Sequence, residues 1–320
     1  MSLAPVALFI YKRASHLQRT INSLSHCIGF DESRIFVFAD GPRTDADIAG
    51  VREARRVAHS MLGENATYIE QEKNQGLARS IIAGVTRLCD DFGNVIVIED
   101  DLVLAPNFLK FLNEGLCRYA DESRVMQVSG HAFETERASQ NTAALLLPFA
   151  TSWGWATWQR AWKHFDLNAT GWQQLLANPA DSRRFNLNGK YDFRTMLERQ
   201  IRGEIDSWAI LWYYTIFKME GLVLFPPQTL VLNEGMDTSA SHTRSNQKLK
   251  QTLRTESDWV LPEDIVESTE AEFVFESIQT STRRSLISTI KTLRPSDIRR
   301  VAALGRKKFN QKRLEIREER

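Results

Sequence analysis

The sequence predicts an α/β fold, a mostly parallel sheet flanked by helices. Three observations predict it. Over residues 1–131, short apolar β-branched runs alternate with segments of helical period, at intervals of ~30 residues, as expected of a parallel sheet. In "NVIVIEDDLVLAP", Val95 to Ile98 are apolar at every position, which reads as a strand buried on both faces. Three strand ends carry polar groups: Lys12 with Arg13, Asp40, and the triplet Glu99, Asp100, Asp101. Ligands in such sheets bind at the carboxyl ends of the strands.

The elements follow in order. "PVALFIY" reads as the first strand, and Leu17, Ile21 and Leu24 then give helical spacing. "RIFVFAD" is the second strand, followed by Ile48, Val51, Ala54, Ala58 and Met61 on one helical face. "ATYIE" is a short third strand, and Leu77, Ile81, Val85 and Leu88 mark the third helix. After the Val95–Ile98 strand, a helix from about Pro106 carries Phe108, Phe111, Leu112 and Leu116, and "VMQVSG" closes this half.

The second half is rich in tryptophan: seven of the eight lie between Trp153 and Trp212. In "SWGWATWQRAWKHFD", Trp155, Trp158 and Trp162 fall at i, i+3 and i+7, the spacing of one helix face, which reads as a packed core face for Trp158 and Trp162. Trp153 and Trp155 flank Gly154, where they either pack inward or offer flat faces for stacking on a sugar. "GEIDSWAILWYYTIFKMEGL" reads as a buried helix with Asp206 near its start, where it acts as a cap or as something more. "LVLFPPQTLVLNEGMD" reads as a short hairpin leading to a loop with His242, and the pattern is polar and then basic after about Thr243.

Composition is that of a globular chain, with 42% hydrophobic and 25% charged residues. No stretch nears the ~20 consecutive apolar residues of a membrane-spanning helix, and "MSLAPVALFIYKR" reads as a strand, without the basic n-region of a signal peptide. Cys27, Cys89 and Cys117 have no zinc or disulfide spacing and suit small buried residues in a reducing compartment. Residues 283–320 carry a net charge of +9 and the rest −8. That tail reads either as a solvated helix or as a contact for a polyanionic surface. It lacks interleaved aromatics apart from Phe309, so no nucleic-acid partner is expected.

Three carboxylates directly after a buried strand repel one another and lose solvation. Either they simply begin a solvated loop, or something positive sits among them. With neither G-x-G-x-x-G nor a P-loop in the chain, a divalent cation with oxygen ligands, Mn²⁺ or Mg²⁺, is the expected companion. Such an ion suits a phosphate-bearing ligand, and a nucleotide-sugar supplies both a diphosphate and hydroxyl-rich rings. In an extended segment Glu99 and Asp101 would point one way and Asp100 the other.

Four stretches carry a resemblance to the GT-A glycosyltransferases, most of all to the N-acetylglucosaminyltransferase I type. "VIVIEDDLVLAPNFLKFL" is similar to that family's strand, E-D-D motif and following helix. "YKRASHLQRTINSL" and "FVFADG" resemble its first and second strand ends. "SWGWATWQRAWKHFD" resembles its G-L-G-W segment, with "GEIDSWAILW" a loose match to the acidic-aromatic stretch beyond. The likeness spans roughly residues 4–235 and extends to transferases of bacterial surface-polysaccharide pathways.

The resemblance implies a metal-dependent, inverting transfer from a nucleotide-sugar to a saccharide or lipid-linked acceptor. It implies that Asp101 binds the metal, Asp100 the ribose and Glu99 the transferred sugar. It places Arg13 and Asp40 around a uracil base, Arg79 near the donor, and Asp206 as general base. Ser80 stands where the family has a histidine, and His242 is a candidate for completing the metal shell. Expected boundaries are 1–131 for the nucleotide-sugar half, 132–245 for the acceptor half with Trp153 and Trp155, and 246–320 for a polar linker and basic tail. The expected location is cytoplasmic, with the tail possible as a peripheral contact to an anionic membrane. A sugar-phosphate nucleotidyltransferase and a non-catalytic carbohydrate-binding protein are the competing readings. The first expects a glycine-rich phosphate loop that "YKRASHLQ" lacks, and the second needs no acidic triplet.

Overall fold

The computed structural model describes residues 3–133, 142–235, 253, 255 and 258–292. The chain divides into two compact units, 1–235 with 249–278, and 236–248 with 279–320. The first contains the whole sheet. Of the second, residues 279–292 are described, as the end of a helix that spans Ala271–Thr292.

The first half forms as its pattern dictates. Strands β1 (Val6–Ile10), β2 (Ile35–Ala39), β3 (Ala66–Glu70) and β4 (Asn94–Glu99) are parallel, in the order β3-β2-β1-β4. Helices α1 (Ala14–Ser25), α2 (Ile48–Leu62) and α3 (Leu77–Phe92) connect them. In β4, Ile96 and Ile98 belong to the core on one side of the sheet, and Val95 and Val97 to the core on the other. Continuous β-branched sequence is what two buried faces require. Three of the expected face residues depart from it: Ile48 and Met61 in α2 and Leu77 at the start of α3 are exposed, and Val57 and Leu62 complete the buried face of α2 instead.

Beyond β4 come β5 (Leu102–Leu104), α4 (Phe108–Arg118), β6 (Val125–Ser129) and β7 (Leu145–Leu147). The tryptophan segment corrects the helix expectation. Trp155–Trp158 is a strand, β8, lying antiparallel between β4 and β6, and only Gln159–Trp162 turns as helix α5. Trp155 enters one core while Ala156 and Trp158 enter the other. Trp155 and Trp158, three positions apart, fall on opposite faces of a strand buried on both sides, a setting that aromatic and β-branched residues favour, while Trp162 lies in α5.

Short helices α6 (Trp172–Ala177), α7 (Pro179–Phe185) and α8 (Phe193–Ile201) lead to α9 (Trp208–Lys218), β9 (Leu222–Phe225) and β10 (Val231–Asn233). The expected hairpin does not form. β9 joins the main sheet, completing the order β3-β2-β1-β4-β8-β6-β9-β7, while β10 pairs with β5 in a separate two-stranded sheet. Pro226 and Pro227, which cannot donate to a ladder, carry the chain out of the main sheet. The result is a return of the chain to the acidic triplet: Glu234 N donates to Asp101 O at 2.9 Å. Cys117 is exposed, unlike the buried Cys27 and Cys89.

Candidate active site

Because β1 lies beside β4, with Phe9 opposite Glu99, the end of β1 meets the acidic triplet. Arg13, the residue before α1, supplies the positive charge. Its Nη2 donates to Asp100 Oδ1 at 2.8 Å and to Asp101 Oδ2 at 2.6 Å. Tyr11 N adds a bond to Asp100 Oδ2 at 3.1 Å. The chain turns after Glu99, so Asp100 and Asp101 converge on one guanidinium; the alternation expected of an extended segment does not hold. The solvated-loop alternative fails as well, since both aspartates are buried.

The electrostatics follow from that burial. Desolvation lowers the Arg13 pKa, but Asp100 and Asp101 outweigh it and hold the group above its ordinary value. Desolvation raises Asp100 against the pull of Arg13. Glu99, on which Arg13 has a weaker hold, is pushed up to about 8, first by desolvation and then by Asp101 and Asp100.

One atom in the cluster has no hydrogen-bond partner among the described residues: the buried Asp101 Oδ1. A bare carboxylate oxygen in a water-poor site suits a hard cation. No group of three or more His, Cys, Asp or Glu side chains converges for a metal among the described residues. Mg²⁺-like ions keep several waters and need only one or two protein carboxylates. The residues present therefore fit such an ion, with Asp101 as its holder. His242 lies outside the described residues.

Asp40, at the end of β2, is saturated by its own chain. Oδ1 accepts from Gly41 N and Gln75 N at 2.8 and 2.7 Å, and Oδ2 from Asn74 Nδ2 and Gly76 N at 2.8 and 3.0 Å. These four bonds fill the carboxylate's four lone-pair sites. Asp40 thus latches the loop that enters α3, and a base N–H has to displace one of these donors. Arg55, from α2, pins the same loop through Gln71 O at 2.6 Å.

Asp206 sits beyond that loop. α9 starts at Trp208 with Ser207 as its N-cap residue and no side-chain capping bond, so Asp206 precedes the helix and does not cap it. It is exposed, and its Oδ2 lies 3.7 Å from where a Cβ on Gly76 would stand. Gly76 adopts φ +84°, which a side chain tolerates poorly. Glu204, the other acidic residue of the segment, is held between Arg202 and Arg199 at 2.8 and 3.4 Å.

The two tryptophans of the expected sugar platform part company. Trp155 is fully buried, its ring stacked on Trp208 at 5.1 Å and near Trp162 and Trp212. It has no face to offer an acceptor; it supports the start of α9. Trp153 is half-buried, with its ring edge-on to His131 at 4.6 Å. His131 is buried and faces Thr229 Oγ1 at 3.1 Å, and desolvation pushes its pKa down to about 3. Arg79 is exposed on the first turn of α3.

Asn74, Gly76, His131 and Gly235 were not singled out from sequence. "KNQG" carries a turn signal that could have marked the first two. Gly235 has no local signal. A Cβ there would collide with Asp101 Oδ2 and stand 2.9 Å from Arg13 Nη1.

Residues 6–184 match the family model described as glycosyl transferase family 2, which ends before Asp206. No curated protein matches the chain. Among solved structures, the mannosyltransferase PcManGT from Pyrobaculum calidifontis in complex with GDP-Man and Mn²⁺ is similar at 14% identity. The likeness covers 67% of this chain and 73% of that one, with a TM-score of 0.37, and bears on neither donor nor metal.

Proposed function

The chain belongs to glycosyl transferase family 2, and on that premise we propose that it is a metal-dependent, inverting transferase of the N-acetylglucosaminyltransferase I type. Membership favours transfer from a nucleotide-sugar over the nucleotidyltransferase and binding-protein readings. The observation that carries the finer reading is the buried Asp101 Oδ1, without a hydrogen-bond partner among the described residues, in a carboxylate cluster at the end of β4.

In this reading Asp101 holds Mn²⁺ or Mg²⁺, which when bound offsets the charge of the departing nucleoside diphosphate. Asp100 faces the ribose, Glu99 the transferred sugar, and Arg13, Asp40 and Arg79 the rest of a UDP-linked donor. Asp206 accepts the proton of the acceptor hydroxyl as its oxygen attacks the anomeric carbon from the face opposite the phosphate. The anomeric C–O bond breaks, and its electron pair leaves with the diphosphate. Trp153 supplies an apolar face for a saccharide or lipid-linked acceptor in polysaccharide synthesis. His242 is retained as a further metal ligand.

No described helix is long and apolar enough to cross a membrane. Peripheral binding at the inner face of the plasma membrane, from the cytoplasm, would fall to the basic residues 283–320. Equal liposome sedimentation of full-length and truncated chain would exclude it. The test of the main reading is a thermal-shift screen of UDP-, GDP-, CMP- and dTDP-sugars, each with and without Mn²⁺. The expected result is stabilisation by a UDP-sugar that depends on Mn²⁺; stabilisation by no nucleotide-sugar overturns the reading.

A further inference from the structure

We propose that Arg13 is an intramolecular competitor of the divalent cation at Asp101, neutralising the cluster in the metal-free chain and giving way when the ion binds. The inference rests on the metal-dependent reading above and concerns what that reading leaves unexplained, the ion pair occupying the metal-holding carboxylate.

The geometry is specific. A single guanidinium nitrogen donates to both Asp100 Oδ1 and Asp101 Oδ2, at 2.8 and 2.6 Å. Asp101 is therefore half engaged: Oδ2 is committed to Arg13 while Oδ1 stays buried without a partner among the described residues. A carboxylate in that state is under-neutralised, because burial strengthens both its attraction to cations and its repulsion from Asp100. A divalent ion carries twice the charge of the guanidinium and can reach the bare oxygen.

Arg13 and the ion cannot both sit at full strength on Asp101, since two cations in a desolvated site repel. The backbone at Gly235 packs closely on the ion pair, since even a Cβ there would collide with Asp101 Oδ2 and crowd Arg13 Nη1. Arg13 is only partly buried, with its side chain 21% exposed, so it has somewhere to go. Once displaced, the guanidinium is free to meet an anionic donor. Metal affinity is thereby kept low until the donor arrives to hold Arg13 away.

The test is calorimetric titration of Mn²⁺ alone into the full-length wild-type chain and into Arg13→Gln and Arg13→Lys, repeated with UDP present. Arg13→Gln keeps some hydrogen bonding but removes the competing charge. Mn²⁺ is expected to bind it at least tenfold more tightly than wild type without UDP, with the gap narrowing when UDP is present. Arg13→Lys keeps the charge without the two-way contact and is expected to fall between. If Arg13→Gln folds poorly, its melting temperature is expected to rise with Mn²⁺ by more than that of wild type. Equal or weaker Mn²⁺ binding by both variants overturns the competitor role and makes Arg13 a plain clamp, while leaving the metal site intact. Absence of Mn²⁺ binding to every protein, with and without UDP, overturns the metal-dependent reading and this proposal with it.

Discussion

The indole of Trp155 stacks on that of Trp208, with ring centroids 5.1 Å apart and planes 22° from parallel. Trp208 is the first residue of α9, and Asp206 lies two positions before it. The central strand β8 thus props the segment that carries the candidate base.

Trp155→Ala is accordingly expected to cost about 3–5 kcal/mol, the usual range for removing a buried aromatic. Urea unfolding measures it. A sugar-stacking role predicts a different pattern, near-normal stability with a raised acceptor KM, and that outcome would return Trp155 to the acceptor site.

Asp206→Asn is expected to lower transfer by ~10²–10⁴-fold, as general-base removal does, with donor affinity nearly unchanged. Because Asp206 neither caps α9 nor is buried, the melting temperature should hold. Steady-state rates and a melting curve separate the outcomes. Near-wild-type turnover removes Asp206 from the mechanism, and Glu204 is a poor substitute while held by Arg199 and Arg202.

Asp40→Asn turns one acceptor atom into a donor facing Asn74 Nδ2 and Gly76 N, or Gly41 N and Gln75 N. The expected loss is about 2–6 kcal/mol, from ~1–3 kcal/mol for each of the two donors left facing it. Amide exchange at Gln75 and Gly76 should speed up. Unchanged exchange, with a loss of nucleotide affinity alone, would mean that Asp40 reads the base and does not latch the loop.

His131 sets a pH dependence. Its folded pKa is depressed to about 3 by desolvation, against an unfolded value near 6.5. Between these values the unfolded chain binds the extra proton, so stability falls as pH drops from about 6.5 toward about 3. The slope from this one group is at most about 1.4 kcal/mol per pH unit. His131→Gln cannot take the proton, and denaturant unfolding at pH 5 and pH 7 should show a smaller difference than in wild type. An unchanged difference assigns the acid loss to other groups.

Much of the first half was legible because its signals are local. β-branched continuity in Val95–Ile98 and helical spacing in α1 to α3 are properties of neighbouring residues, and they fixed the elements and the place where the carboxylates emerge. Family resemblance added the expected roles of those carboxylates, which spacing alone does not contain.

What only the tertiary structure decided are relations between distant residues. Arg13 meets Asp101 across 88 positions because β1 pairs with β4. Asp40 is saturated by a loop 34–36 positions onward. The tryptophan run became β8 because a slot between β4 and β6 buries both of its faces. Helical spacing describes one face, whereas a slot in a sheet rewards two. β10 left its hairpin for β5 and brought Gly235 onto the ion pair. Periodicity reports which side of an element is apolar. Strand order, desolvation and the partner of each buried charge are set by the whole chain at once, so they appear only when it is folded.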